Sequence, residues 1–204
     1  AVLETKVDRV ETPDWPCDIA ARKIRGRDYL KSCVCRPFIN KIFDGYDIYF
    51  WLDADTWIQD WDGPQYFIEG ARKMHMSLTT SADRAYSKAM RVKFWNGIPY
   101  KARSFYFTNG KRAFGRRVAE KLFPQHQIFA GAFCLHKDAP HWDTWQTLIT
   151  KALQSPFGKA FTAEQLTLGM MIYLEGLPAE FLPAWTHWVC EYKPIWDEKN
   201  QQFI

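Results

Sequence analysis

The stretch Tyr46–Trp61, with the sequence YDIYFWLDADTWIQDW, decides the predicted fold class. Its apolar run Ile48–Leu52 has the length and composition of a buried strand, and it ends abruptly in Asp53-Ala54-Asp55. Two carboxylates beside a buried strand are costly unless a positive charge meets them. A divalent cation that bridges a protein and a diphosphate needs only one or two protein carboxylates. The stretch therefore predicts a site for a metal ion and a diphosphate at these two carboxylates.

The composition is typical of one globular domain that spans residues 1–204, with 47% hydrophobic and 25% charged residues. No apolar run reaches the roughly 20 residues of a membrane span. The net charge of +4 suits an anionic ligand or a membrane surface, does not by itself indicate nucleic acid, and is equally well explained by chance. The five cysteines form no CxxC pair and no zinc-site spacing, so we expect reduced thiols in a cytoplasmic protein.

Helical and extended patterns alternate along the chain, which predicts an α/β fold with a mostly parallel sheet flanked by helices. The predicted strands are 48–52, 74–80, 127–135 and an extended segment 181–190, and the predicted helices are 18–43, 63–72, 111–123, 142–152 and 162–175. Residues 81–110 show no period and are rich in basic and aromatic side chains. We expect there either a functional loop that holds an acceptor or an ordinary solvated loop. Ligands in such sheets bind beyond the carboxyl ends of strands, which is where the acidic pair lies.

A second candidate is formed by His187 and Lys193-Pro194 in the sequence HWVCEYKPIW. A core histidine beside a surface lysine is the alternative interpretation. A neutral imidazole can complete a Mn²⁺ shell that two carboxylates have begun, because Mn²⁺ accepts both nitrogen and oxygen ligands. The lysine ammonium would then neutralise a diphosphate oxygen as the leaving group departs.

Glu164-Gln165 and Gly131 each allow two interpretations. The segment Thr162-Ala-Glu-Gln165 has the pattern of a capping box, in which Gln165 reaches back to the helix N-terminus. The same polar pair beside the site could instead contact a transferred sugar. Gly131 lies between two alanines in a predicted strand, where it either permits a close helix–strand approach or leaves room for a hexose against the strand.

Together these residues resemble glycosyltransferase family 8 and its relatives of GT-A fold, which are retaining enzymes that use a nucleotide-diphosphate sugar and Mn²⁺. The resemblance covers residues 22–196, most of the chain. Its motifs are LDADT at 52–56, FAGAF at 129–133 without the usual Asn, Glu164-Gln165 in place of D-Q, and His187 with Lys193-Pro194 at the family's spacing. The final Trp196 stands one place late, and the Gly usually found inside this last motif is missing.

The resemblance implies a role for each candidate residue. It implies Mn²⁺, or Mg²⁺, with Asp53, Asp55 and His187 as metal ligands. For substrate binding it implies Lys193 on the phosphate, Arg36 or Lys31 as a further cation, and Gly131 beneath the sugar. Gln165, with Glu164 beside it, would stabilise the transferred sugar as the catalytic pair. No enzyme nucleophile is established in retaining transferases of this kind, and a front-face displacement is the usual proposal.

The favoured function is therefore a bacterial glycosyltransferase that moves a hexose from a UDP-sugar to a glycan or lipid-linked acceptor. We expect no nucleic-acid partner and a cytoplasmic location, with peripheral contact at the inner face of the membrane. Only 52 residues precede Asp53, fewer than the strand–helix–strand unit that cradles the base in GT-A enzymes needs. We therefore expect that part of this nucleotide-binding unit is missing and that UDP binds more weakly than micromolar.

Two other functions remain open from the sequence. One is a catalytically idle carbohydrate- or partner-binding module of the same fold, because fold does not determine function. The other is a phosphatase of the haloacid-dehalogenase type, which also places DxD at a strand end. That pattern requires Thr or Val two positions after the second Asp, whereas here Thr56 follows Asp55 directly and Trp57 occupies the required position.

Overall fold

The computed structural model describes residues 7–58, 60–83, 86, 90–189, 196–199 and 202–203, with the backbone alone for 90–92, 98–103, 202 and 203. In these ranges the strands are β1 (Ile48–Leu52), β2 (Met76–Thr80), β3 (Met90–Trp95), β4 (Ile98–Ser104), β5 (Ile128–His136), β6 (Ala179–Phe181), β7 (Trp196–Asp197) and β8 (Gln202–Phe203). The helices are α1 (Ala21–Ile24), α2 (Leu30–Val34), α3 (Ile39–Ile42), α4 (Asp62–Arg72), α5 (Phe105–Phe114), α6 (Arg116–Leu122), α7 (His141–Gln154) and α8 (Ala160–Tyr173). Short 3₁₀ turns lie at Arg36–Phe38 and Ala184–Thr186.

The central sheet has four strands in the order β1-β5-β2-β6. β5 pairs antiparallel with both β1 and β2, whereas β2 pairs in parallel with β6. The predicted α/β class is confirmed, but the mostly parallel pairing is wrong. β1, β2 and β6 do run in one direction, yet β5 inserts between β1 and β2 in the opposite direction. Hydrophobic patterns identify a strand without identifying its neighbours, so this insertion was not visible in the sequence.

Helices cover both faces of the sheet, and neighbouring β5 residues show which helix covers which face. Phe133 packs against Trp145 of α7, with 5.2 Å between the ring centroids, in a core that also includes Leu166 of α8. Cys134, the next residue, packs in a separate cluster with Phe67 of α4. Because successive strand residues face opposite sides, α7 and α8 lie on one face and α4 on the other. The carboxyl end of β1 is thus fixed by two packed layers.

The segment 18–43, predicted as one helical stretch, is divided into α1, α2, a 3₁₀ turn and α3. Arg25 and Gly26 adopt φ values of 52° and 68°, in the left-handed region that ends a helix. Pro37 lies in the first positions of the 3₁₀ turn, where its missing N–H is tolerated. The basic character of the segment remains, but its cations do not share one continuous helical face.

The prediction of an irregular loop at 81–110 is wrong, because this part contains the hairpin of β3 and β4 and the start of α5. Asn96 and Gly97 form its two-residue turn, with φ values of 46° and 76°. Asn-Gly is the strongest short-range hairpin signal, because both residues tolerate positive φ, and it was overlooked. The helix predicted at 111–123 is likewise two helices, separated by Gly115 at φ 89°.

Three further predictions concern the chain as a whole. Among the described cysteines, Cys17, Cys33, Cys35 and Cys134 are free thiols, as predicted, and Cys190 lies outside the described residues. No helix in the described part combines the length and the apolar character that crossing a bilayer requires. The extended segment predicted at 181–190 contains only the end of β6 and the second 3₁₀ turn within its described part.

Candidate functional site

Asp53 is the first residue after β1, and the turn that follows it sets the direction of its side chain. Its backbone N–H donates to Gly131 O at 2.8 Å, and the Thr56 N–H closes a turn on Asp53 O at 2.9 Å. Oδ1 of Asp53 accepts hydrogen bonds from Trp51 Nε1 at 2.8 Å and from Arg36 Nη2 at 2.5 Å. Oδ2 lies 3.2 Å from the point where a Cβ on Gly131 would be. One carboxylate oxygen is therefore held by the protein, while the other faces the space above Gly131.

Arg36 is a buried cation that joins three elements at the site. Besides Asp53, it donates from Nη1 to Glu164 Oε1 at 2.7 Å and to Ala130 O at 2.9 Å. Its guanidinium carbon lies 5.0 Å from the centroid of the Trp51 ring, a cation–π contact. The hydrogen bonds of both Nη atoms are made to protein oxygens, so Arg36 orients the first acidic residue. Its contact with a diphosphate or sugar stays a prediction.

Glu164 and Gln165 lie within α8 and not at its N-terminus. The helix begins at Ala160 with Lys159 as N-cap and no side-chain cap, so the capping-box interpretation is wrong. Glu164 is buried, and burial raises its pKa from 4.5 to about 7, outweighing the opposing attraction of Arg36. Gln165 Nε2 donates to Ile128 O at 2.7 Å, which ties α8 to β5. Gln165 thus supports the strand that carries Gly131, Glu164 holds Arg36, and the catalytic role of the pair stays a prediction.

His187 follows the 3₁₀ turn Ala184–Thr186, and its backbone N–H donates to Ala184 O at 3.2 Å. Its Nδ1 lies 3.2 Å from Thr79 Oγ1, and its Nε2 lies 3.1 Å from the same Cβ point of Gly131. Burial lowers the pKa of the imidazole, although the charges of Asp53 and Asp55 act in the opposite direction. The ring is therefore neutral at pH 7, and when Nδ1 carries its proton the Nε2 lone pair is available as a ligand.

Asp53 and His187, two of the three predicted metal ligands, therefore face the same space above Gly131. Asp55 lies exposed in the turn after Asp53, close enough to influence the His187 titration. Within the described ranges, no three His, Cys, Asp or Glu side chains are grouped so that they could hold a metal ion. The Nζ of Lys31 lies 5.8 Å from the centroid of the Trp15 ring, a cation–π contact, and its substrate role stays a prediction. Lys193 lies outside the described residues, so its phosphate contact stays a prediction.

An irregularity in β5 makes this arrangement possible. The pairing of β2 with β5 steps from Leu78↔Phe133 to Thr79↔Phe129, so three β5 residues, 130–132, have no partner on β2. The carbonyl of Ala130 is consequently available to Arg36. Bulges of this kind redirect side chains and backbone groups beside functional sites. Gly131 forms the floor of the resulting space because any side chain there would contact both flanking groups.

Two residues of the site were missed in the sequence. In the sequence Trp51 is one residue of an apolar strand, whereas in the structure its Nε1 donates to Asp53 Oδ1 and its ring contacts the Arg36 guanidinium. Thr79, the partner of the His187 ring, is fully buried in β2. A hydroxyl in a strand whose neighbours are buried calls for a hydrogen-bond partner, and this was the available signal. Its identity could not be known, because His187 is 108 residues away.

Comparisons of the chain with protein-family models, with curated proteins and with solved structures found no match.

Proposed function

We propose that this chain is a metal-dependent glycosyltransferase of GT-A type. It would move a hexose, with retention, from a nucleotide-diphosphate sugar, UDP-sugar favoured, to a glycan or lipid-linked acceptor. The observation that carries the proposal is the approach of Asp53 Oδ2 and His187 Nε2 to one point above Gly131, at 3.2 and 3.1 Å. A carboxylate and a neutral imidazole that face one space with no side chain between them form a donor pair suited to a divalent cation.

Mn²⁺ or Mg²⁺ fits this donor set, because such a cation takes one or two protein carboxylates and completes its shell with diphosphate oxygens and water. Asp53 and His187 would hold it in the space above Gly131, and Asp55, in the exposed turn, is the third ligand that the resemblance implies. When bound, the metal would neutralise the charge of the nucleoside-diphosphate leaving group. Thr79 fixes the imidazole ring, and Arg36 holds the first carboxylate so that its free oxygen points to the same space.

The second group of residues would hold the sugar. Gln165 is fixed through its Nε2 on β5, which leaves its Oε1 to accept a hydrogen bond from a sugar hydroxyl. Glu164 shares the Arg36 guanidinium with Asp53, and its pKa near 7 lets this network bind or release one proton near neutral pH. Gly131 leaves room for the hexose, because a Cβ at this position would contact the His187 ring and Asp53 Oδ2. These residues position the substrate, and none of them needs to act as a nucleophile.

Exposed aromatic rings flank the site and suit the acceptor. Trp57, two residues after Asp55, is 87% exposed. Tyr66 and Trp185 are also exposed and contact each other edge to face, with 5.5 Å between their centroids. Trp185 precedes His187 by two residues. Aromatic rings present large apolar faces with little conformational entropy to lose, so we assign the acceptor sugar to this aromatic side.

A carbohydrate-binding module without catalysis is the second candidate, and one observation favours it. Arg36 already gives Asp53 a positive partner at 2.5 Å, so the first acid of the turn is compensated without a metal. In that case Asp53, Arg36 and Glu164 would form a structural ion network, and the aromatic side alone would bind glycans.

Thermal unfolding of the full chain with UDP or a UDP-sugar, each with and without Mn²⁺, tests the proposal. We expect the metal and the nucleotide together to raise Tm more than either alone, and UDP to be released from UDP-sugar only with Mn²⁺. Asp55→Asn and His187→Ala should abolish both effects. Asp28→Asn, which changes an exposed carboxylate away from the site, should preserve them.

Each function has a distinct outcome. Stabilisation by UDP that is identical without metal would overturn the metal-dependent proposal. Binding of glycans without any release of UDP across a panel of acceptors would identify the module. Trapping of a covalent aspartyl-phosphate on Asp53 would instead establish the phosphatase considered from the sequence.

A further inference from the structure

The positive charge of the chain is concentrated in one segment around the hairpin. Residues 84–119 contain no Asp or Glu and ten of the 27 Lys and Arg residues. The rest of the chain therefore carries the other 17 Lys and Arg residues and all 23 Asp and Glu residues. The ten are Arg84, Lys88, Arg91, Lys93, Lys101, Arg103, Lys111, Arg112, Arg116 and Arg117. The modest net charge of +4 therefore hides a strongly basic segment within an otherwise acidic chain, and such asymmetry indicates an anionic partner.

The register of the hairpin concentrates this charge further. Arg91 stands opposite Arg103, and Lys93 stands opposite Lys101. Because residues two apart share a face of a strand, these four positions belong to one face of the hairpin. Like charges directly opposite each other destabilise an antiparallel pair. A face with this pattern loses stability in isolation and regains it when an anionic surface neutralises the cations.

The tip of the hairpin is apolar on both faces. Phe94 is paired with Pro99, and Trp95 with Ile98, around the Asn96-Gly97 turn. Phe94 and Trp95 are 61% and 70% exposed. A platform for stacked nucleic-acid bases needs aromatic rings along one face of a sheet. Consecutive aromatic residues at a tip point to opposite sides, which suits insertion between lipid headgroups, where Trp and other aromatic residues are favoured.

The base of the hairpin is anchored close to the site. Tyr86, just before β3, packs edge to face on Phe129 of β5 and contacts Trp188, with centroid distances of 5.3 and 5.2 Å. Trp188 directly follows His187. At the other end, Ser104 caps α5 by accepting from Phe107 N–H at 3.0 Å. The hairpin thus begins beside the sheet edge that carries the candidate site.

We propose that the β3–β4 hairpin binds the surface of an anionic lipid bilayer. Phe94 and Trp95 enter the headgroup region, and the basic face contacts lipid phosphates. The inference goes beyond the proposed transfer reaction and does not depend on it. If the reaction is also correct, this contact would hold the site next to a lipid-linked acceptor.

Co-sedimentation of the full chain with vesicles tests this, without UDP or metal present. One set of vesicles is phosphatidylcholine alone, and the other also contains phosphatidylglycerol. We expect binding to the anionic vesicles alone, weakened by high salt. Phe94→Ser with Trp95→Ser, and separately Lys93→Glu, should reduce the affinity on the order of tenfold. The matched controls Phe157→Ser and Lys151→Glu change an exposed ring and an exposed cation elsewhere and should bind like the wild type.

Equal binding to both kinds of vesicle, or binding to neither, would overturn the proposal. It would also be overturned if the tip variant bound vesicles as well as the wild type does. Displacement of the protein from vesicles by single-stranded RNA would likewise overturn it, if binding of the RNA required the same tip residues. Circular dichroism and urea midpoints matching the wild type would show that each variant is folded. Because no nucleotide is present, the result is separate from that of the UDP experiment.

Discussion

Glu164 should make the stability of the protein depend on pH in a defined direction. Its carboxyl is buried in α8 and bonded to Arg36 at 2.7 Å. Burial, and to a lesser degree the nearby charge of Asp53, raises its pKa from 4.5 to about 7, although Arg36 opposes the change. The folded protein therefore holds this proton at pH values where the unfolded chain has released it.

The size of the effect follows from these two pKa values. Between pH 4.5 and about 7 the folded state binds more protons than the unfolded state, so the contribution of Glu164 to the free energy of unfolding falls as pH rises. At about 1.4 kcal/mol per pKa unit, the loss is about 3 kcal/mol and is complete above pH 7. Burial lowers the pKa of His141 and His187, so their contributions change in the opposite sense, increasing up to the unfolded value of 6.5.

Glu164→Gln isolates the carboxyl, because Gln keeps the shape and an acceptor for Arg36 but cannot ionise. Urea unfolding of both proteins from pH 4.5 to 8 should show the stability of the variant rising relative to the wild type by about 3 kcal/mol over this range. Glu69→Gln, at an exposed position of α4, should run parallel to the wild type. If Glu164→Gln also runs parallel, the carboxyl is not held protonated by burial, and the proposed proton-binding role of the Arg36 network fails.

Three further experiments test other parts of the structure. Gly131→Ala should weaken Mn²⁺–UDP binding at least about tenfold in calorimetry, because its methyl group would lie 3.1–3.2 Å from the His187 ring and from Asp53 Oδ2. The Tm of the variant should stay close to that of the wild type. Unchanged binding would show that Gly131 does not line the site. Gly169→Ala should lower the free energy of unfolding by about 1–3 kcal/mol, since its Cβ would lie within 2.6 Å of three atoms of the buried Tyr106. Gly110→Ala is the matched control, because its Cβ meets only ordinary contacts at 3.4 Å or more, and it should be neutral or stabilising. Equal urea midpoints for the two variants would contradict this. Burial raises the pKa of the Cys134 thiol to about 12. The thiol should therefore resist iodoacetamide in the folded protein and react in urea, as peptide mapping can establish. Labelling of the folded protein would show that this side of the core opens.

The local features of the fold were largely predictable from the sequence. The strand that ends at Leu52 and the helix that ends at Arg72 were predicted to within a residue. In both elements, neighbouring residues along the chain determine the hydrophobic period and the two ends. The hairpin around Asn96-Gly97 was equally local and was overlooked, because the many charged residues hid the alternation. The start of α8 was misplaced because Thr162 resembled a cap, whereas its hydroxyl hydrogen-bonds Asn109 instead.

The sequence by itself determined the mixed α/β class and the acidic pair at the end of β1, since strand and turn propensities act over a few neighbouring residues. Only the tertiary structure decided what that pair meets. Arg36 bonds Asp53 and Glu164 across separations of 17 and 128 residues, and Thr79 holds a histidine 108 residues away. These partners depend on the insertion of β5 between β1 and β2 and on its irregular register, which arise from packing between distant segments. Local sequence patterns do not show which distant segment of the chain will pack against a given residue.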